Sequence, residues 1–232
     1  MKAVDVVHVL VESAWTFSGI EKPLYFGEHE DEFSEYPIVH IIAQDMPNNG
    51  NAWDNEKASR NAIKNGILNL SPLDDDIVII SDLDEIPKMS AVRQYHQNMG
   101  ITSLKMDLFY YWLNCRGGVQ TWPVAKIMTY GMLKDTTPDA IRNGGFQSQI
   151  DNAGHHFGYL GGVDFIINKL RSFSHQEYNI PEFTDPEKIA KKLELGEALI
   201  NENKFEFIPI DNTFPKYIVD NQEKLKHLIK QL

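Results

Sequence analysis

The stretch Asp-Asp-Asp-Ile-Val-Ile-Ile-Ser-Asp-Leu-Asp-Glu-Ile-Pro, residues 74–87, decides the fold. Its β-branched run, residues 77–80, predicts a strand buried on both faces, as in a mostly parallel sheet. Asp82 and Asp84 follow at once, and in open α/β sheets ligands bind outside the carboxyl ends of strands. In an extended stretch the two aspartates face the same way and repel each other unless a cation lies between them. The stretch therefore predicts a Mg²⁺ or Mn²⁺ site, and the alternative is a solvated turn.

Composition restricts the class of protein. With 232 residues, the chain is long enough for one domain with an ample core. Its net charge of −11 argues against nucleic acid or an anionic membrane as the partner. The single cysteine, Cys115, excludes an internal disulfide framework. The sequence has neither a long apolar run nor a signal-peptide pattern, so we expect a soluble, cytoplasmic protein with no membrane insertion.

Hydrophobic periodicity outlines the remaining elements. Apolar or aromatic runs predict strands at residues 4–11, 38–43, 104–113, 122–130 and 205–210. Helical spacing predicts helices at residues 28–35, 51–70, 89–99, 165–173, 186–201 and 216–232, with Asn51 as the cap of the second. Residues 38–81 then form one right-handed βαβ unit. The glycine-rich stretch 142–162 is predicted to have no regular structure.

Three further features bear on chemistry. Arg60, on the helix before the central strand, could bind a phosphate with its planar guanidinium, although alone it is an ordinary surface residue. Gly161 and Gly162 precede a helix, so the backbone there can approach a ligand closely and present N–H groups to an anion. His175 could complete a metal site with its imidazole, and the alternative is a structural histidine.

Several motifs resemble glycosyltransferase family seventeen, the family of the β-1,4-mannosyl-glycoprotein β-1,4-N-acetylglucosaminyltransferase. In order along residues 4–180, they are Val11-Glu12-Ser13, Thr16-Phe17-Ser18-Gly19, Lys22-Pro23-Leu24-Tyr25-Phe26, Trp53 with Glu56 and Arg60-Asn61, residues 79–87, Tyr159-Leu160-Gly161-Gly162, and Ser172-Phe173-Ser174-His175. The resemblance implies an A-type glycosyltransferase fold, with a Rossmann-like, mostly parallel central sheet flanked by helices. It also implies a nucleotide-sugar donor and inversion at the anomeric carbon.

The resemblance also implies roles for single residues. Asp82 and Asp84 form the Asp-X-Asp site for metal and donor, and His175 completes the coordination of Mn²⁺ or Mg²⁺. Arg60 lies near the nucleotide, and the Gly161-Gly162 loop faces donor and acceptor. Two more residues that follow predicted strands, Glu12 and Asp45, are assigned to donor binding with them.

An inverting transfer needs a general base, because an alcohol is a poor nucleophile at neutral pH. By analogy with A-type enzymes that place an acidic residue after a Gly-Gly loop, we assign the base to Asp164, with Glu177 in reserve. The alternative is that Asp164 only caps the helix that begins at Phe165.

The resemblance leaves several expectations open. The chain starts almost at the strand that contains Val4, so we expect one strand and one helix of the usual fold to be absent or replaced. We expect a single domain, residues 1–232, with a donor half at about 1–100 and an acceptor half with C-terminal helices at about 101–232. The donor is expected to be a UDP-sugar, carrying N-acetylglucosamine or a related hexose. The acceptor is expected to be a glycan hydroxyl, in an enzyme of bacterial or viral type.

Two other classes of function stay open. A haloacid-dehalogenase-like phosphatase would use Asp82 as nucleophile and Asp84 as acid. A non-catalytic module would bind the nucleotide sugar without turning it over.

Overall fold

The computed structural model describes residues 6–201 and 203–232. The strands are β1 His8–Glu12, β2 Ile38–Ile42, β3 Ile77–Ile80, β4 Glu85–Pro87, β5 Thr102–Leu104, β6 Met106–Tyr110, β7 Cys115–Trp122, β8 Lys126–Thr129, β9 Ser148–Ile150, β10 Gly154–Gly158 and β11 Glu206–Phe207. The α-helices are α1 Tyr25–Glu28, α2 Ala52–Asn61, α3 Ile63–Asn69, α4 Met89–Gln94, α5 Tyr130–Leu133, α6 Pro138–Asn143, α7 Val163–Ser172, α8 Pro181–Thr184, α9 Pro186–Leu195 and α10 Lys216–Asp220. Short 3₁₀ helices cover Glu30–Phe33, Gln97–Met99, Gln176–Tyr178 and Lys226–Leu228.

The strands form three sheets of mixed direction in a mixed α/β fold. A two-stranded sheet pairs β1 with β2 in parallel. A five-stranded sheet has the order β11-β7-β6-β10-β4, and only its β6–β10 pair is parallel. A four-stranded sheet has the order β3-β8-β5-β9, and only its β5–β9 pair is parallel. The predicted α/β class is therefore confirmed, whereas the predicted mostly parallel central sheet is not what these pairings show.

The predicted βαβ unit is wrong in its pairing. Residues 38–42 and 77–80 are strands as expected, but β2 pairs with β1 and β3 pairs in antiparallel register with β8. The intervening helical region does form, with Asn51 as the N-cap that accepts a hydrogen bond from the Trp53 N–H. It is divided into α2 and α3, and α3 packs on β1 and β2 through Gly66, where a Cβ would collide with Val9 and Ile41.

The first predicted strand is partly outside the described residues. Residues 4 and 5 lie there, and the strand that the structure describes, β1, begins at His8. Strand β3 has the predicted bounds but lies at the edge of the four-stranded sheet, and its burial changes along its length. Ile80 is 1% exposed, whereas Ile77 at the other end is 51% exposed. The buried end is the one that leads into Asp82 and Asp84.

The glycine-rich stretch 142–162 contains two strands, contrary to the prediction. β10 runs between β6 and β4, and its Gly154 lies so close to the Ile86 carbonyl that a Cβ would overlap it. Glycine therefore allows strand packing here instead of preventing it. The stretch places the buried His155 and His156 on an inner strand of the five-stranded sheet, next to its edge strand β4.

The predicted terminal helix over residues 216–232 is also wrong. Only α10 and one 3₁₀ turn form, because Asn114 binds the tail in an extended conformation. Its Nδ2 donates to the carbonyls of Ile208 and Lys230, and its Oδ1 accepts from the Lys230 N–H. The C-terminal segment thereby covers one face of the five-stranded sheet, where Phe109, Phe157 and Phe214 form an apolar cluster.

Candidate active site

The two aspartates of the Asp-X-Asp motif follow β3 but have different surroundings. Asp82 accepts a hydrogen bond from Arg142 Nη2 at 2.5 Å, and Arg60 Nη2 lies 3.6 Å from its other oxygen. Both arginines come from helices: Arg60 from α2 and Arg142 from α6. Asp82 is therefore held between two guanidinium groups.

Next to Asp82, Glu85 and Arg142 form a buried ion pair. Arg142 is 4% exposed and donates two hydrogen bonds to Glu85, at 2.9 and 2.8 Å. The Glu85 carboxylate also accepts from the Asp82 N–H at 2.8 Å and from the Trp122 indole. Burial, together with Glu85 and Asp84, raises the pKa of Asp82, although Arg142 and Arg60 act in the opposite direction. The motif thus rests on a satisfied buried network, which fixes the backbone at Asp82.

A second group of contacts orients Arg60. Its guanidinium donates to Asp139 at 2.8 Å and to Glu56 one helical turn earlier. The Glu56 carboxylate also accepts from the Ser174 hydroxyl, which brings the loop after α7 to this side of the site. The motif Glu56…Arg60 is therefore one connected cluster next to Asp82.

Asp84 lies beside two ionisable groups, one from strand β10 and one from helix α7. Its Oδ1 is 3.3 Å from His156 Nε2, and its Oδ2 is 3.3 Å from Lys169 Nζ. Burial alone would raise the pKa of Asp84, but the hydrogen bond from His156 and the charge of Lys169 outweigh it and lower the pKa to about 2. The Lys169 ammonium also lies over the Tyr159 ring, 4.8 Å from its centroid. Asp84 is thus ionised at neutral pH and partly open to solvent.

His175 is not brought to the two aspartates as a metal ligand. Its Nδ1 is 2.6 Å from Glu177, and its ring lies edge-on to Trp53 with 4.5 Å between centroids. Phe173 and Tyr178 also contact the ring. Within the described part of the chain, no three His, Cys, Asp or Glu side chains are grouped to hold a metal. A metal site formed by Asp82, Asp84 and His175 stays a prediction.

Two predicted donor ligands have separate positions. The Glu12 carboxylate accepts from the N–H groups of Phe26 and Gly27 and lies 3.4 Å from Lys22 Nζ, so its contacts tie β1 to α1. Asp45 is exposed in the loop after β2. A donor-binding role for either residue stays a prediction.

The two candidate bases are exposed. Asp164 is the second residue of α7, whose N-cap is Gly162 without a side-chain hydrogen bond. The capping alternative for Asp164 is therefore wrong, and helix α7 begins two residues earlier than predicted. The ion pair with His175 lowers the pKa of Glu177, so this carboxylate is a weaker proton acceptor than an isolated one.

The Gly161-Gly162 loop borders a cavity of about 410 Å³. Both glycines have positive φ, 103° and 84°, and a Cβ on Gly161 would collide with the Phe165 ring. This conformation needs glycine, as expected from the sequence. The cavity walls are mostly aromatic or aliphatic: Tyr111, Trp112, Leu160, Phe165 and Leu228, with His227 at one side.

The sequence model of glycosyltransferase family 17 matches residues 1–230. The chain belongs to glycosyltransferase family 17. Searches among curated proteins and among solved structures found no significant match. Membership in family 17 makes the protein a glycosyltransferase, which uses a sugar donor and a glycan acceptor. It favours the transferase over both the phosphatase and the non-catalytic module. Among the described residues, the family 17 chain has no helix with the length and apolar composition needed to cross a membrane.

Sequence reasoning missed three side chains at this family 17 site. Arg142 and Lys169 reach the motif from positions 60 and 85 residues later in the chain, so spacing carries no sign of them. His156 was visible as one of two adjacent histidines, and its alternation with His155 along a strand could have indicated that one of them faces the motif.

The residues around Asp84 meet the basic requirement for a metal shared with substrate. Mg²⁺ sites that bind a substrate phosphate commonly use one or two protein ligands, and phosphate oxygens and water fill the remaining positions. A carboxylate and an imidazole lie close together here, with 3.3 Å between Asp84 Oδ1 and His156 Nε2. These two residues could hold a cation together with a bound diphosphate. Lys169 is a positive charge that competes with such a cation for the Asp84 carboxylate.

Proposed function

We propose that the protein is a metal-dependent, inverting glycosyltransferase that uses a UDP-sugar as donor. The transferred sugar is N-acetylglucosamine or a related hexose, and the acceptor is a glycan hydroxyl. One observation carries the proposal: in a chain of this family, Asp84 lies between strands β3 and β4, partly open to solvent, beside His156 and Lys169.

Charge balance explains the roles of these groups. The leaving diphosphate gains negative charge as the glycosidic bond breaks, and a chain with a net charge of −11 must supply local positive charge. Asp84 and His156 would hold Mn²⁺ or Mg²⁺, which would act as a Lewis acid on the diphosphate. Lys169, 3.3 Å from Asp84, is near enough to add a second positive charge.

Asp82 and Arg60 take the nucleotide side of the proposed site. Arg142 and Glu85 fix the position of Asp82, which would contact the ribose or assist at the metal. Arg60 already has Glu56 and Asp139 as partners, so its guanidinium is pre-oriented and little side-chain entropy is lost when a phosphate binds. Asp45 is proposed to contact the donor from the loop after β2.

The acceptor is proposed to enter by the cavity next to Gly161 and Gly162. Aromatic and aliphatic walls such as Phe165, which is 67% exposed, suit the apolar face of a sugar ring. Asp164 adjoins Phe165 at the start of α7 and is the proposed base that takes the proton from the acceptor hydroxyl. Glu177 is the reserve, but its bond to His175 makes it the poorer proton acceptor.

A thermal-shift screen tests the proposal. Nucleoside diphosphates and their sugars, with and without Mn²⁺, should raise the melting temperature by mass action, and the shift should be largest for one UDP-sugar with Mn²⁺. That donor should then be slowly hydrolysed without acceptor and give a product of inverted anomeric configuration. Equal shifts with and without Mn²⁺ would remove the metal from the proposal. Failure of all nucleotide sugars to bind or react would remove the donor class.

A further inference from the structure

A second cavity, of about 520 Å³, lies on the other face of β10 from the Asp84 site. Successive residues of a strand point to opposite faces, so His156 faces Asp84 while His155 points to the side covered by the C-terminal segment. The rim comes from β4 with the residues after it and from residues 212–216. This cavity is therefore separate from the cleft proposed for transfer.

The buried imidazole of His155 is the polar group at the base of this cavity. His155 is 2% exposed, and its ring stacks on Phe157 and Phe214. Its Nδ1 has no hydrogen-bond partner among the residues whose side chains the structure describes. A buried polar atom without a partner is costly, so a bound group that supplies the missing hydrogen bond is favoured.

The charges around the cavity are balanced. Lys216 is paired with Asp220, and Lys88 donates to the amide oxygen of Asn152. The Asn152 amide is neutral, so the negative charge that opposes Lys88 comes from the carboxylate of Asp211, which accepts from the N–H and hydroxyl of Thr213 at the rim. Because the described residues next to the cavity carry both signs of charge, a neutral ligand is favoured over an anion.

The walls combine apolar and polar groups. Pro87, Met89 and Phe214 supply apolar surface, while Asn212 and Thr213 supply an amide and a hydroxyl at the rim. A sugar ring has an apolar face and hydroxyls that both donate and accept hydrogen bonds. It can therefore hydrogen-bond to the His155 imidazole whichever ring nitrogen carries the proton.

We propose that this cavity is a second carbohydrate site, which binds one neutral sugar unit apart from the place of transfer. The choice of a sugar over another neutral polyol rests on the proposed function. The site itself rests on the cavity, the unpaired His155 and the balanced charge.

Amide NMR of the full chain tests the proposal. The probes are the methyl glycosides of N-acetylglucosamine, mannose and galactose, with sodium phosphate as the anionic comparison, all with UDP and diamagnetic Mg²⁺ present to occupy the donor site. At least one glycoside should shift the amides of Ile86, Met89 and Thr213. Asn212→Trp, which fills the cavity from an exposed position, should abolish these shifts. Gln222→Trp, on the same segment but outside the cavity, should leave them unchanged.

His155→Phe keeps an aromatic ring in the cluster and removes the unpaired nitrogen. It should weaken glycoside binding about tenfold, the usual effect of one lost hydrogen bond between neutral groups. If this variant does not fold, Asn212→Trp still decides the question.

Three results would overturn the second site: shifts confined to Leu83, Asp84 and the Gly161-Gly162 loop, shifts with phosphate but with none of the sugars, or no shifts at all. These results are independent of turnover. An inactive enzyme with shifts at Ile86 and Thr213 would contradict the proposed function alone, and an active enzyme without them would contradict only the second site.

Discussion

Asp82 and Asp84 are two residues apart, yet their surroundings differ in kind. Asp82 is fixed by arginines from α2 and α6, above the buried pair Glu85–Arg142. Asp84 has only a lysine and a histidine at 3.3 Å, and its Lys169 partner is itself 39% exposed. The first carboxylate is thus part of the protein's internal network, and the second can exchange its partner for a ligand.

This difference teaches how one motif can serve two purposes. Glu85 accepts from the Asp82 N–H, so the buried network holds the backbone from which Asp84 projects. The energetic cost of the buried charges lies on the Asp82 side, and ligand binding is expected on the Asp84 side. Substitutions on the two sides should accordingly separate stability from activity.

The largest effect is expected for Asp84→Asn. Loss of the charge that holds the metal and faces the diphosphate should lower turnover roughly 10³–10⁴-fold, because a bound cation contributes several kcal/mol to charge stabilisation. The unfolding free energy should change by less than about 1 kcal/mol, since the ion pairs of Asp84 are partly exposed. Steady-state kinetics with saturating Mn²⁺ and urea unfolding would measure both quantities.

Asp82→Asn is the matched control for that experiment. It should retain more activity than Asp84→Asn and lose more stability, because Arg142 loses a charged partner. If the two variants had the same profile of activity and stability, the distinction between the aspartates would be wrong.

The next effect concerns the proposed base. Asp164→Asn should lower turnover roughly 10²–10⁴-fold with unchanged donor affinity, because asparagine cannot accept the proton. Its stability should match the parent, since the Asp164 side chain makes no capping bond to α7. Rapid-quench kinetics with isothermal titration of the donor would separate the two steps. Full activity in Asp164→Asn, with a loss in Glu177→Gln, would move the base to Glu177.

The buried network should respond in stability. Glu85→Gln removes the buried one of the two charged partners of Arg142, whose guanidinium is 4% exposed and keeps only Asp82, and should cost about 3–5 kcal/mol of unfolding free energy. Glu206→Gln is the control, because its ion pair with Arg116 is exposed and should contribute at most about 1 kcal/mol. Equal denaturant midpoints for the two variants would show that the network does not hold the motif.

The sequence predicted the parts of the site that are close together in the chain. Asp82 and Asp84 directly follow a strand, and Arg60 lies on the helix before it, so local pattern was sufficient to group them. The direction of the neighbouring strand was not predictable, because the apolar run 77–80 suits an antiparallel partner such as β8 as well as a parallel one. The partners Arg142 and Lys169 depend on how α6 and α7 pack, which residue spacing does not encode.

The choice between histidines shows the same limit. His175 follows a polar, aromatic stretch and is predicted to bind the metal, while His156 falls in the glycine-rich stretch 142–162, which is predicted to have no regular structure. In the structure the glycines allow β10 to form a strand that carries His156 to Asp84, whereas His175 is bonded to Glu177.

A metal titration can decide which of the two histidines binds the metal. His156→Gln should raise the Mn²⁺ concentration for half-maximal activity at least about tenfold, as changes around metal ligands commonly do. His175→Gln should leave it unchanged, because this imidazole is bonded to Glu177 and packed on Trp53. A raised requirement in His175→Gln alone would restore the original assignment.

The smallest effect is expected in the acid titration of the two aspartates. Burial raises the pKa of Asp82, whereas the partners of Asp84 overcome burial and lower its pKa to about 2, so Asp82 should take up its proton first as the pH falls. Folding therefore favours the ionised form of Asp84. Its contribution to stability is complete above the unfolded value of 3.8 and is lost as the pH falls toward about 2.

Carboxyl ¹³C NMR without metal would follow the titration of Asp82 and Asp84, and the two pKa values would be fitted as one coupled pair. Lys169→Met should raise the lower pKa by up to about 0.7 unit, the equivalent of a partly exposed ion pair of about 1 kcal/mol. The higher pKa should change less, because Asp82 is paired with Arg142 and Arg60 instead. If Asp84 were protonated first, or if Lys169→Met changed only the higher pKa, the difference inferred between the two carboxylates would be wrong.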